Sequence, residues 1–388
     1  MRILVAHNYY QQPGGEEQVF AAESALLEAY GHQVHRYTIH NDRIQHVNPL
    51  ALASATVWNS QVYRELRRLI CQEQIQIIHF HNTLPLISPA AYYAAKAEGV
   101  PVIQTLHNYR LLCPNGLLFR DGNVCEDCLG QFIPLPSVLH ACYRESRVAS
   151  GAVATMLTMH RAAHTWTEMV DVYIALTEFA CKKFIQGGIP AQKTVVKSNF
   201  VHPDPGYGKG EGGYALFVGR LSPEKGVDSL LMAWQQLAGV PLKIVGDGPL
   251  ASQVAEAVRQ TPAIEWLGRR PMEEVYALLR EAMFLVFPSK WYEGLPRTII
   301  ESFAAGTPVI ASNLGSMTSL ISPGHTGLHF QPGNPEDLAT QVEWILKNPK
   351  QLVQMRLEAR AEFEAKYTAE NSYRQLMEIY ALACGSQQ

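Results

Sequence analysis

Charge of one sign, long apolar runs and paired cysteines are what this 388-residue sequence lacks, and each absence closes off a class of protein. The formal net charge is −3, with 16 basic and 15 acidic side chains in residues 1–200 and 16 and 20 in the remainder. No segment has the basic excess by which a nucleic-acid module holds phosphates, so no nucleic-acid partner is expected. No apolar run approaches the ~18 residues of a membrane span. The opening MRILVAHNYY has five apolar residues before His7, too few for a secretory core, which makes the cytoplasm the expected compartment. Cysteine is sparse and odd in number, at seven, and argues against a disulfide framework. With 28 Gly, 23 Pro, 47% hydrophobic and 17% charged residues the composition is neither disordered nor collagen-like.

What is present alternates. At about 150 residues per domain the length suggests two domains and a remainder. Short β-type runs and helical patterns take turns over the first 110 residues: Ile3–Ala6, a helix Glu16–Tyr30, Gln33–Ile39, a helix Gln61–Gln72, Ile75–Phe80, a helix Pro89–Glu98 and Pro101–Leu106. Residues 113–142, rich in Cys, Pro and Gly, interrupt the rhythm as an insertion. A long helical pattern Val148–Thr167 and the strand Val172–Leu176 follow. The turn-rich segment 199–213 marks a boundary. Beyond it come Ala215–Val218, Leu242–Val245, Ile264–Leu267, Met283–Phe287 and Val309–Ala311, with helical patterns between them, and Pro335 to about Cys384 is nearly all helical pattern with no strand. The pattern predicts an α/β protein of two doubly wound parallel sheets, whose ligands gather in loops at the carboxyl ends of strands.

Three such loops carry suitable chemistry. In His7-Asn-Tyr-Tyr-Gln-Gln-Pro-Gly14-Gly15-Glu-Glu, two glycines let backbone amides approach a phosphate at a helix N-terminus, although a plain tight turn explains them equally well. In Gly219-Arg220-Leu-Ser-Pro-Glu-Lys225-Gly226, two fixed cations beside a helix start suit a diphosphate leaving group. In Trp291-Tyr-Glu293-Gly-Leu-Pro-Arg-Thr-Ile-Ile-Glu301, two carboxylates offer bidentate acceptors for vicinal hydroxyls, one before a helix and one within it.

These loops, with Gly246-Asp-Gly248-Pro, Leu267-Gly268-Arg and the run Glu-Ser-Phe-Ala-Ala-Gly-Thr-Pro-Val-Ile-Ala-Ser from Glu301, occur in an order that resembles family 4 of the retaining nucleotide-sugar glycosyltransferases across almost the whole chain. The resemblance implies the GT-B architecture, two facing Rossmann-like domains with a cleft between them. It places a UDP- or GDP-type sugar donor mainly on the second domain. It assigns Arg220 and Lys225 to the donor diphosphate, Glu301 to the ribose, and Glu293 with Gly294 and Leu295 to the transferred sugar. Thr298 and Ile299 join the donor contacts, Gly268 faces the nucleobase, and Gly14 and Gly15 border the donor from the first domain. Pro296 stands where a small residue is more usual and supplies no amide. His107, directly after the strand ending at Leu106, matches a histidine that reaches the donor sugar and phosphate, where it could donate to an oxygen of either. His79 and His81 are secondary candidates for the acceptor side. The eight Asp residues form no D-x-D pair, so fixed cations are expected to take the place of a divalent metal.

The expected domains are 1–200, completed by a C-terminal helix 369–388, and 201–368. The expected activity is retaining transfer to a hydroxyl of a glycan or lipid-linked acceptor in polysaccharide or glycoconjugate synthesis, with no catalytic cofactor. A nucleotide-sugar epimerase or glycan phosphorylase on the same plan, and a non-catalytic nucleotide-sugar sensor, are the competing readings. No pyridoxal-phosphate lysine is marked, and both cations with both glutamates oppose the sensor. Arginines at 64, 67 and 68, and Arg144, Arg147 and Arg161, either touch anionic headgroups at a membrane surface or form ordinary solvated faces, and the first domain's net +1 favours the latter. Cys113, Cys125, Cys128 and Cys142 read either as a structural zinc site built on the C-x-x-C knuckle or as unmetallated thiols packing a loop. Cys71, Cys181 and Cys384 read as structural.

Overall fold

The computed structural model describes residues 1–11, 14–237 and 239–385. Gln12 and Pro13 of the first glycine loop and the last three residues of the expected C-terminal helix lie outside it. By their contacts the described residues form two compact units. The first runs over 1–118 and 125–199 and resumes at Ser372; the second takes 119–124 and 200–371.

Fourteen strands occur among the described residues: β1 Arg2–Tyr9, β2 Gln33–His40, β3 Ile77–Asn82, β4 Val102–Leu106, β5 Phe119–Arg120, β6 Asn123–Val124, β7 Val172–Ala175, β8 Thr194–Val196, β9 Ala215–Val218, β10 Leu242–Val245, β11 Ile264–Gly268, β12 Phe284–Phe287, β13 Val309–Ser312 and β14 Gly327–Phe330. The first unit holds a six-stranded parallel sheet in the order β2-β1-β3-β4-β7-β8, the second one in the order β11-β10-β9-β12-β13-β14, and β5 and β6 form a small antiparallel hairpin. Central strands such as β3, β4, β7, β12 and β13 are buried along their whole length. Continuous apolar runs of Ile, Val, Leu and Phe, rather than alternation, are what a parallel sheet covered on both faces requires. The chain order reverses between β1 and β3 in the first unit and between β9 and β12 in the second. Those reversals open a crevice at the carboxyl edge of each sheet.

The C-terminal helix Ala369–Gly385 places Leu376, Ile379, Tyr380 and Ala383 in one buried cluster with Ile3, Val5, Phe20 and Ile77 of the first unit. Each such apolar side chain contributes roughly 1.5–3 kcal/mol relative to exposure. The second unit's core gathers Phe217, Leu230, Trp234, Ile244 and Phe284 with Val342 and Ile345 of the helix Pro335–Lys347.

One reading of the sequence is corrected, and another is resolved more finely. The single helix expected over Val148–Thr167 is two, Arg147–Ala162 and Thr165–Glu168, because His164 takes a left-handed φ of 55°. The helical tail is three helices, Pro335–Lys347, Pro349–Lys366 and Ala369–Gly385, the first break falling where Pro349 cannot continue the preceding ladder. Strands β8 and β14 and the helix Pro49–Val57, capped by Asn48 with Pro at its first position, were not anticipated. Both strands are sheet edges of three and four residues, too short to show a period.

Candidate active site

In the second unit the loops after β9 and β12 flank the crevice at the chain reversal, and they bring two of the expected residues together. Lys225 Nζ lies 2.6 Å from Glu293 Oε1, with side chains 22% and 7% exposed. The same oxygen accepts from Ser289 Oγ and from Trp291 Nε1, each at 2.8 Å. The ammonium also sits over the rings of Trp291 and Phe287, at 5.3 and 5.7 Å, a placement that adds cation–π attraction. A backbone bond stitches the two loops, the Lys290 amide donating to the Glu224 carbonyl at 2.8 Å, and Ser316 Oγ, from beyond β13, donates to the Glu293 carbonyl at 3.0 Å. Gly226 permits this approach. Its φ is +68°, and a Cβ there would stand 1.9 Å from the Pro288 carbonyl oxygen.

Arg220 is exposed in the same loop, and its guanidinium has no side-chain or backbone partner among the described residues. Glu301, in the helix Arg297–Ala304, is buried and paired with Arg297 Nη2 at 3.0 Å. Burial pushes its carboxyl above the ordinary range, and Arg297 opposes that rise. Glu293 and Glu301 thus have different cationic partners. Leu295 and Ile299 are buried, and the Ile299 amide is spent on the Pro296 carbonyl at 3.0 Å, which leaves the half-buried Thr298 and Gly294 as the less covered donor candidates. Gly268 ends β11 at φ +69° with open space where a Cβ would stand. Ser289, Trp291 and Arg297 were missed from sequence. The i,i+4 spacing of Arg297 to Glu301 was the available signal.

In the first unit the corresponding edge carries His107 and the start of the helix Gly15–Ala29. The Gly14 amide donates to Glu17 Oε2, and Glu17 Oε1 accepts from the Tyr10 amide at 3.1 Å. An anion at this helix start would meet a carboxylate already seated there, so the geometry gives Gly14 and Gly15 a capping environment and not a vacant phosphate nest. Glu16, also missed, lies beside it: Asn108 Nδ2 donates to its Oε2 at 3.2 Å, Tyr10 bonds to the carboxyl, and Oε1 is buried without a hydrogen-bond partner among the described residues. Burial first and the charge of Glu17 second push this carboxyl up to about 7. A small cavity here is lined by Asn82, Thr83, Gln104, His107, Asn108 and Arg110, among others. His79 and His81 are 0% and 2% exposed, so His79 lies inside the unit rather than on an acceptor surface. His81 Nδ1 contacts His107 Nε2 at 2.9 Å.

No disulfide joins any of the seven cysteines. Cys113 and Cys128 are hydrogen-bonded, and the amides of Asn115, Gly116 and Leu118 are directed at Cys113. The bond with Cys128 and these amides hold its thiol below the ordinary range. Among the described residues the group of three ligand side chains within ion-sharing distance is Glu23, His79 and His81, and none of the four thiols belongs to it.

Two open parallel sheets, each with polar side chains at its chain reversal, define a GT-B protein. The sequence matches the family described as "Glycosyl transferases group 1" over residues 206–362 and "Glycosyltransferase Family 4" over residues 13–205. The chain belongs to the group 1 glycosyltransferases. It is 31% identical over 190 residues to an uncharacterized glycosyltransferase of Methanocaldococcus jannaschii, covering 48% of this chain and 53% of that one. It is 29% identical over 244 residues to a glycogen synthase of Mycobacterium tuberculosis, covering 57% of each. The chain spans about half the length of the curated relatives it matches. Its fold is that of HepE of Anabaena, solved in complex with UDP, with a TM-score of 0.70 and 18% identity over 98% of this chain and 100% of that one. No described helix is long and apolar enough to cross a membrane.

Proposed function

We propose that this protein transfers a sugar from a nucleotide diphosphate donor to a hydroxyl of a glycan or lipid-linked acceptor, with retention at the anomeric carbon. The observation that carries this is the Lys225–Glu293 contact at 2.6 Å, held at the chain reversal of the second sheet with Arg220 exposed in the same loop. A carboxylate and two cations in one crevice suit a ligand that is polyhydroxylated at one end and doubly anionic at the other. Lys225 and Arg220 stabilise the departing diphosphate, Glu293 holds the transferred sugar, and Glu301 takes the ribose. Lys225, held in place by Glu293, costs little reorganisation as the leaving group develops its charge. The two cations are also suited to work without a divalent ion, so activity is expected to persist in EDTA.

The bound UDP of the HepE structure supports a nucleotide donor without naming the base for this chain. Screening UDP- and GDP-sugars for thermal stabilisation, then for nucleoside diphosphate release with glycan acceptors, tests the reading. A matched donor should raise the melting temperature, since it binds only the native state. Stabilisation without any release would instead favour a sensor. Work in the cytoplasm, with any lipid-linked acceptor met at the membrane surface, completes the proposal.

A further inference from the structure

The first unit buries an ionisable network and leaves apolar side chains outside. Lys197 Nζ, 3.0 Å from Glu23 Oε2, and the Tyr380 hydroxyl, 3.0 Å from His79 Nδ1, are closed to solvent. Three helices of the same unit, Pro49–Val57, Leu135–Leu139 and Arg147–Ala162, invert the usual sorting. In the first the buried residue is Thr56, while Leu50 is 82% exposed. In the second it is Ser137, while Leu135 and Leu139 stand more than half exposed, as do Phe132 and Ile133 just before them. The long helix buries Val153, Met156 and Leu157, yet its outer stripe of Val148, Ala152, Thr155 and Met159, at one-turn spacing, carries no charge. A helix face turned to water is ordinarily polar. Single apolar residues on a surface need no explanation, but three adjoining helices with the same inversion mark a face that something covers.

Side-chain bonds hold this face together. Both short helices pack on the long one, where His160 Nε2 donates to the Val57 carbonyl at 2.8 Å. Arg161 donates to the carbonyls of Gln131 at 2.6 Å and of Phe132 and Leu111 at 3.0 Å, so its guanidinium is spent on the fold. Arg144 and Arg147 are exposed and have no acidic partner among the described residues. Residues 43–64 and 129–167 contain one acidic side chain, Glu145, and five arginines, a bias that the unit's near-zero balance hides. Arg147 opens its helix with no acid in the first turn, at the end where a helix dipole favours anions. This arrangement suits an anionic surface. A second copy of the same face would set arginine against arginine with one glutamate to answer them, which disfavours self-association.

We propose that these three helices seat the first unit on an anionic lipid surface, the apolar side chains entering the boundary between headgroups and acyl chains while Arg144 and Arg147 meet lipid phosphates. This deepens the acceptor side of the function proposed above, and rests on that reading only for why the protein visits a membrane.

Vesicle flotation of the full chain tests it. Wild-type protein should float with vesicles of phosphatidylglycerol and phosphatidylcholine, and much less with phosphatidylcholine alone or at high salt. Leu135→Ser/Leu139→Ser should lower the partition coefficient about tenfold or more, since two half-exposed leucines give up their burial in lipid. Arg144→Gln/Arg147→Gln should lower it roughly thirtyfold at low salt and much less at high salt. Val353→Ser/Leu357→Ser, an equally exposed apolar pair in the second unit, should float as wild type does. Every substituted side chain is exposed, so melting temperatures should hold. Where Leu135→Ser/Leu139→Ser does not fold, Phe132→Ser/Ile133→Ser reads the same face. Flotation that is absent from wild type, retained by the face variants or lost equally by the control pair overturns the proposal. So does a wild-type dimer that Leu135→Ser/Leu139→Ser dissociates without vesicles, which would give the face to a second copy. Flotation needs no sugar donor, and nucleoside diphosphate release with a soluble glycan acceptor needs no lipid. Failure of the first with the second intact sinks this proposal alone, and the converse sinks only the transferase reading.

Discussion

Replacing Lys225 by Met separates the two things this lysine does. In the free protein it neutralises Glu293, which is 5% exposed and keeps Ser289 Oγ and Trp291 Nε1, both at 2.8 Å, when the ammonium is gone. Breaking a buried pair and leaving one charge alone costs about 3–5 kcal/mol. Two neutral donors on the same oxygen offset about 1 kcal/mol each, so the net loss should be about 2 kcal/mol. For a unit of this size that is a fall in melting temperature of roughly 4–8 °C. Activity should suffer far more, because removing one preorganised charge from a developing anion costs roughly 10²- to 10³-fold in kcat. The double variant Lys225→Met/Glu293→Gln decides between the roles. It removes both charges, so stability should return to within about 1 kcal/mol of wild type while turnover stays low. Differential scanning fluorimetry and nucleoside diphosphate release measure the two effects. A single variant that melts lower but turns over within threefold of wild type would show that Lys225 is only a structural partner of Glu293.

Other expectations are narrower. The Glu16 carboxyl is pushed up to about 7 from an ordinary 4.5, so its contribution to stability is whole below about 4.5 and is lost as pH rises through about 7. Glu16→Gln should therefore match wild type near pH 4 and exceed it by about 3 kcal/mol near pH 8 in denaturant titrations, whereas a pH-independent difference would contradict the assignment. Gly226→Ala should cost about 3 kcal/mol or more through both φ and the Pro288 carbonyl, but Gly268→Ala, with a similar φ and open space, only about 1 kcal/mol; equal losses would refute the steric account. Zinc analysis of protein purified without chelator addresses the thiols. One zinc per chain with a lower melting temperature after chelation is expected if Cys125 and Cys142 close on Cys113 and Cys128, and metal-free protein unmoved by chelator would end that reading.

The two sheets were legible because parallel strands buried on both faces write themselves as unbroken apolar runs, and β9 and β10 were bounded to the residue. Edge strands β8 and β14 were not, since runs of three or four residues carry no period. In the second unit the two candidate loops could be placed because Arg220 to Lys225 and Trp291 to Glu301 are each contiguous, and a loop between strand and helix has only one edge of the sheet to occupy. The first unit's network could not. Lys197 is 174 residues from Glu23, and Tyr380 is 301 from His79, and no local pattern announces that a topology will bring them to hydrogen-bond distance. Glu16 escaped notice for a different reason: it stands beside Glu17 in the first helical turn, and only the fold shows that Glu17 caps the helix while Glu16 meets Asn108 and Tyr10.

The central claim is that the crevice beside Lys225 and Glu293 takes a nucleotide diphosphate sugar and transfers its sugar with retention. Real-time proton NMR of the purified chain with a panel of UDP- and GDP-sugars and glycan acceptors, in EDTA, follows donor, product anomer and nucleoside diphosphate together. One donor should disappear as its nucleoside diphosphate appears, with the donor's anomeric configuration preserved in the product and no transfer in Glu293→Ala. An inverted product, or undiminished transfer by Glu293→Ala, would contradict the account.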